Sequence, residues 1–411
     1  MDRNELKEKL KEYMEIPRLS GYESEMAKRF LADMKKYTDK AYVDKAGNVI
    51  AKFPGSGKQV PSVMVFAHMD TIGFVITCIT ADGFLKVDRV GGVPEKVLQG
   101  KGVRVGSESG NYYPGVFGMK SYHALSPEDK QKAEGIGGLY IDIGAKNETE
   151  VFNLGIHVGC PVLYDNAFKE LLNDRICGAY TDDASGLTSL NQIAEFLAQK
   201  EHKATVYLVG TVMEEYHARG AMLAHRSVKA DMGICLLGAG AGDTPDLKGT
   251  NNVALGEGVS VNMFNFHGKG TLNGNIIHKG MFTLLKKSAK KCGITLQRQA
   301  ARGALSDTAY LQLEEKGIPC MDLGTPDRYS HSPMEVLDLK DLEKTGLLVY
   351  EFICGLDENF SLNRYDVEMA VCGGFSCRIF YWALIWEQPA FGQDFMIKVG
   401  KTMVFLWRNM V

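Results

Sequence analysis

The chain has 411 residues, of which 45% are hydrophobic and 24% charged, with a formal net charge of -3, the profile of an ordinary globular protein. That charge gives no reason to expect nucleic acid or an acidic membrane as a partner, and nine scattered cysteines without a C-x-x-C pair read as a reduced, cytoplasmic protein rather than a disulfide scaffold. No run reaches the roughly 20 apolar residues that span a bilayer, and the charged start MDRNELKEKLKEYME reads as an amphipathic helix, not a secretory signal.

Two helical patterns open the chain, near 3–15 and 24–37, and strands follow at AGNVIAKFP and SVMVFAHMD. Between about 73 and 163, short β-type runs such as GFVITCIT, GVRVGS and GLYIDIG alternate with Gly and Pro turns, which predicts a small β-barrel or sandwich. After GCPVLYD the rhythm changes to a helix near 186–199, strand 204–212, helix 219–228 and strand 231–237. It continues with helices at 279–292, 307–316 and 338–355 around the runs GITLQRQ and GIPCMDLG. This alternation predicts an α/β fold with a central mixed sheet flanked by helices. The β-rich block, 73–163, is an insertion between 1–72 and 164–358. Residues 359–411 hold all three tryptophans and form an atypical hydrophobic extension, whose run IFYWALIW is too short for a membrane span.

Four places carry candidate chemistry. In VFAHMDTIG, His68 and Asp70 end an apolar strand two residues apart; the imidazole suits a metal, and Asp70 suits the other ring N–H, fixing the tautomer. In YTDDASGL, Asp182 and Asp183 precede a helix. One of them can be a simple N-cap, or Asp182 can bridge two cations about 3.5–4 Å apart. In MEEYHARGA, Glu214 and Glu215 follow a buried strand and point to opposite sides, so one can ligate a metal while the other takes a proton. His331, in PDRYSHSPMEV, follows the last α/β strand, where the sites of open α/β sheets gather.

In this order and spacing, with LYIDIGAKNETEV, AGDTPD and GALSDTAYLQLEEKGIP beside them, these motifs resemble the M42 metallo-aminopeptidases, the glutamyl and tetrahedral (TET) aminopeptidase group, over about residues 3–358. The resemblance implies a di-metal α/β domain with an inserted β-rich assembly domain, a cytoplasmic homo-oligomer (a dodecamer), and peptide substrates trimmed from their N-termini. It makes His68 a ligand of one metal, Asp182 the bridge, and Glu215 and His331 ligands of the other, with Glu214 the general base or acid and Asp70 the support of His68. The donor set suits two divalent cations such as zinc or cobalt, with manganese an alternative.

The chain departs from that pattern at the site itself. Counting back six from Asp243, the family's next ligand Asp falls on Leu237, which cannot coordinate a cation; Ala184 stands where Arg is usual and Met213 where Gln is usual. Site one would keep only His68 and half of Asp182, short of the three protein ligands of a catalytic zinc. Three readings stay open: an aminopeptidase of reduced activity, a catalytically silent assembly or regulatory subunit, and an amidohydrolase of similar architecture.

Overall fold

The computed structural model describes residues 1–268, 274–365, 396–399 and 402–405. Helices α1 (Arg3–Glu15) and α2 (Ser24–Met34) come first. Asp2 starts α1 in a capping box, its carboxylate accepting from the Asn4 and Glu5 amides while its own amide donates to the Glu5 carboxylate, so amides that no carbonyl can reach are satisfied. Strands β1 (Ala41–Val43), β2 (Val49–Phe53) and β3 (Val63–His68) follow. All six residues of β3 are buried, which is why it reads as an unbroken apolar run rather than an alternating one.

The next six strands are β4 (Gly73–Ile79), β5 (Leu85–Val90), β6 (Gly102–Gly106), β7 (Tyr112–Gly118), β8 (Tyr140–Asp142) and, after the short helix α3 (Glu148–Asn153), β9 (Pro161–Tyr164). They close into a barrel in the order β4-β5-β8-β7-β6-β9. Its interior is a separate core that includes Ile76, Val103, Val105, Ile141 and Val162, with Phe74 edge-on to Phe117 at 4.9 Å between ring centres.

The rest of the chain builds the large sheet. It supplies β10 (Lys169–Leu171), β11 (Arg175–Gly178), α4 (Thr181–Gln199), β12 (Val206–Thr211), α5 (Gly220–Val228), β13 (Met232–Gly240), β14 (Val259–Phe266) and β15 (Gly274–Ile276). There follow α6 (Lys279–Cys292), β16 (Leu296–Arg302), α7 (Thr308–Leu311), β17 (Cys320–Arg328), β18 (Glu335–Asp338) and α8 (Leu339–Cys354). The fold is mixed α/β: the path β1-β2-β12-β3-β13-β17-β18-β11-β10 forms the sheet, with β14, β15 and β16 branching from β17. At its centre β12, β3, β13 and β17 run parallel, so four strands deliver their C-terminal ends to one edge. Helices α1, α4, α6 and α8 cover one face through Leu10, Leu187, Leu285 and Phe352, among others; Ala221 of α5 and Leu311 of α7 pack on the other with Phe66 and Met64.

Two helices differ from the sequence expectation. The helix placed at 307–316 stops at Leu311, because Glu315 and Gly317 take left-handed φ values of 53° and 94° and the Ile318 amide turns back to the Gln312 carbonyl. The helix placed at 186–199 begins at Thr181 instead, and Asp182 and Asp183 lie inside it in non-helical conformation. Residues 1–364 form one compact unit and 365–411 another; in the second, β19 (Met396–Val399) pairs antiparallel with β20 (Thr402–Phe405), and most of the expected hydrophobic extension at 359–411 lies outside the described residues.

Candidate metal centre

The edge where the parallel strands end collects all six candidate residues. His68 closes β3 beside Thr211, the last residue of β12, and the Glu214–Glu215 pair follows three residues after that strand. The Asp70 carboxylate, fully buried, accepts from the amides of Glu214 and Glu215 at 3.0 and 2.9 Å. The two motifs are thus fastened to each other through the backbone. Burial, the largest influence on Asp70, pushes its carboxyl up, but the bond to His68 and these two amides hold it below the usual carboxylate range.

Both imidazoles are oriented by a carbonyl. His68 Nδ1 lies 3.1 Å from the Asp70 backbone oxygen, with the Asp70 carboxylate farther away at 3.6 Å. His331 Nδ1 lies 3.0 Å from the Gly92 carbonyl. A carbonyl can only accept, so Nδ1 carries a hydrogen in each ring, and Nε2 is the atom left to meet a metal ion or a second proton. The two Nε2 atoms face Asp182: His68 Nε2 is 3.2 Å from Oδ1, and His331 Nε2 is 3.5 Å from Oδ2 and 3.5 Å from Glu215 Oε1. A lone pair aimed at a carboxylate oxygen is repulsive unless a proton or a metal ion lies between.

The donor atoms fall into two groups, each within 4.8 Å: His68 with Glu214 and Glu215, and Asp182 with Glu215 and His331. Imidazole with carboxylate is the donor chemistry of zinc and its neighbours. Asp182 is half-buried, which pushes its carboxyl up, but the two flanking imidazoles outweigh that and hold it far below its ordinary value. Burial pushes both Glu214 and Glu215 up, and it would lower His68 and His331 but for the surrounding carboxylates, which raise both. The site gathers an excess of negative charge on partly buried carboxylates, and divalent cations fit it.

Asp183 does the capping job: its Oδ1 accepts from the Gly186 amide at 2.7 Å at the start of regular helix, and burial pushes its carboxyl up to about 8. Asp243 is held by Arg328 through two bonds of 2.7 and 2.6 Å, an ion pair away from both donor groups. Leu237 lines the same cleft as His68, Asp182, Glu214, Glu215 and His331, a space of about 800 Å³. Ala184 is buried in the main core, and the Met213 amide donates to Glu23.

Several supporting residues carried no sequence signal. Arg18 is fully buried and donates to the carbonyls of Met69, Asp70 and Tyr180 at 3.1, 3.0 and 2.8 Å, tying together the segments that present His68 and Asp182. Glu335 accepts from the Thr181 hydroxyl and from the amides of Asp182 and His331, and burial lifts its carboxyl to about 7. Asp307 accepts from the Thr211 hydroxyl at 3.0 Å and is lifted to about 7 by burial. Gly92, from the loop after β5, is packed tightly on the imidazole: a Cβ there would lie 3.0 Å from His331 Nδ1, so the ring would have to shift to admit it.

The family model of M42 glutamyl aminopeptidases matches residues 47–348. The putative aminopeptidase SgcX of Escherichia coli K12 is 36% identical over 324 residues, covering 79% of this chain and 87% of that protein. Among solved structures, aminopeptidase APDkam598 from the archaeon Desulfurococcus kamchatkensis superposes with a TM-score of 0.82 at 31% identity, over 90% of this chain and 99% of that one. The Pyrococcus horikoshii TET1 peptidase, which can assemble into a tetrahedron or a large octahedral shell, superposes at 0.75 with 28% identity over 85% of this chain and 99% of that one.

Proposed function

The chain belongs to the M42 glutamyl aminopeptidase family, a family of peptidases, and on that premise we propose that it is a metal-dependent aminopeptidase releasing N-terminal residues from peptides. The observation that carries the reading is the pair of imidazoles whose Nε2 atoms face the two oxygens of one carboxylate, Asp182. His68, Asp182, Glu215 and His331 would hold two divalent cations, zinc or cobalt by donor type. When bound, such ions polarise a scissile carbonyl and lower the pKa of water.

The protein's own groups do the rest. Glu214, partly buried in the cleft wall and with its carboxyl pushed up by burial, receives the proton of the attacking water and returns it to the leaving amine. Asp70 fixes the backbone of the Glu pair, and its carbonyl sets the His68 tautomer. Glu335 holds the backbone at Asp182 and His331. Among the described residues no helix is long and apolar enough to cross a membrane. A cytoplasmic homo-oligomer on the pattern of the TET1 shells, with the barrel as its assembly module, belongs to the same proposal.

Glu214→Gln keeps the shape of the side chain and removes its basicity, and should lower turnover of a short free-N-terminus peptide by about 10²–10⁴-fold while leaving the bound metal in place. Equal turnover by parent and variant would overturn the assignment. Leu237 in the cleft wall favours one second reading, a catalytically silent family member acting as an assembly or regulatory subunit. Appreciable turnover by the unmodified chain excludes it.

A further inference from the structure

On the face of β13 opposite Leu237, the strand carries Gly238. A Cβ built there would lie 3.4 Å from the Asp182 carboxyl carbon, 3.5 Å from its Oδ1 and 3.5 Å from the Asp327 carboxyl carbon. Gly238 therefore leaves a space bordered by both carboxyl groups. Asp327 reaches it from β17, which runs parallel to β13 with Asp327 level with Gly240.

Asp327 is 2% exposed, and neither of its oxygens has a partner in full hydrogen-bond geometry; burial pushes its carboxyl well up, Glu335 and Asp182 add to that, and His331 and a bond from the Ser330 side chain oppose it. The charged groups facing it are Glu335, Asp182 and His331. Its neighbours differ in this respect. Asp70 has two amide donors, Asp183 has the Gly186 amide, Glu335 has the Thr181 hydroxyl and two amides, and Asp307 has the Thr211 hydroxyl. A buried carboxylate without a well-placed donor is costly, and a bound ion is one of the few things that explain it in a native protein.

We propose that Asp327 is a cation ligand, reaching across the Gly238 gap to the ion shared by His68 and Asp182 Oδ1 and supplying the carboxylate that Leu237 cannot. As placed, its oxygens stand outside the two donor groups, so ligation requires them to turn about the Asp327 side-chain torsions toward Gly238. No hydrogen bond in full geometry opposes that turn. A Cβ at 238 would make ordinary contacts with both carboxyl groups where they now stand, but it would fill the space into which the Asp327 oxygens turn.

The inference rests on the metal-centre reading above, and its test separates the two. Parent, Asp327→Asn, Gly238→Ala, Leu237→Asp and the Leu237→Asp/Asp327→Asn double variant are equilibrated with zinc. Zinc per chain is then read by elemental analysis, affinity by competition with a chromophoric chelator, and folding by melting in chelator. The parent should hold two zinc ions. Asp327→Asn and Gly238→Ala should weaken one of them by about 10–100-fold or more without lowering the melting temperature in chelator, and the double variant should recover it. Asp327→Asn that keeps both ions at parental affinity overturns the role of Asp327 and leaves the metal centre standing. A parent that holds no zinc overturns both.

Discussion

At the scale of single residues, the centre depends on groups that never touch a substrate. Each imidazole is aimed by a backbone carbonyl, and the carbonyls near His68 and Asp182 are held in turn by one buried guanidinium, Arg18. Burial holds Arg18 below its usual pKa, opposed by the neighbouring charges of Asp183 and Asp70. Arg18→Met would leave three buried carbonyls without their charged donor, and should cost about 3–5 kcal/mol of stability, read by urea unfolding of the chelated protein. A loss under about 1 kcal/mol would show that the staple is dispensable. Zinc affinity should fall with it, since the segments bearing His68 and Asp182 lose their common anchor. Nothing in IPRLSG announces this. An isolated arginine in a turn has no periodicity or spacing to mark it, and its partners lie about 50 and 160 positions away.

At the scale of elements, α1 and α2 are joined by a buried acid. Asp33 accepts from Tyr13 at 2.7 Å, Lys36 at 2.7 Å and Lys9 at 3.0 Å. Burial, the largest influence, pushes its carboxyl up, but these donors outweigh it and the pKa lies below its ordinary value. A group depressed on folding stabilises the native state above its unfolded pKa, about 3.9, and that contribution is lost as pH falls through the folded value. Asp33→Asn should therefore lower stability at pH 7 and flatten the acid limb of a melting-temperature profile; parallel profiles for parent and variant would contradict this. The sequence made most of these elements legible because their apolar spacing was strong: α1, α6 and α8 lie at the positions the pattern predicts. It failed at α7, where two left-handed residues break a helical pattern, and at the start of α4, where Asp182 and Asp183 leave helical geometry inside the helix. Such backbone departures are set by tertiary neighbours, not by local propensity. His68 and the Glu pair stood out because they follow buried apolar strands, whereas Asp182 and His331 stood out only by their order and spacing among the other motifs. Asp327 did not, since its significance depends on the alignment of β17 with β13 and on a glycine across the gap.

At the scale of the whole molecule, the barrel and the sheet meet at the candidate metal centre. The loop after β5 brings Gly91 and Gly92 against Glu215 and His331, and the Gly92 carbonyl sets the His331 tautomer. Gly92→Val should displace that imidazole and lower turnover at least about 10-fold while leaving the barrel folded, checked by comparing rates with far-ultraviolet circular dichroism; unchanged turnover would separate the loop from the chemistry. The most direct test of the metal-dependent aminopeptidase assignment is a zinc titration of the chelated, unmodified chain, following release of the N-terminal residue from a short peptide. Turnover should be absent after chelation and return as zinc approaches two ions per chain. Turnover that persists through exhaustive chelation, or that fails to return as zinc binds, would contradict it.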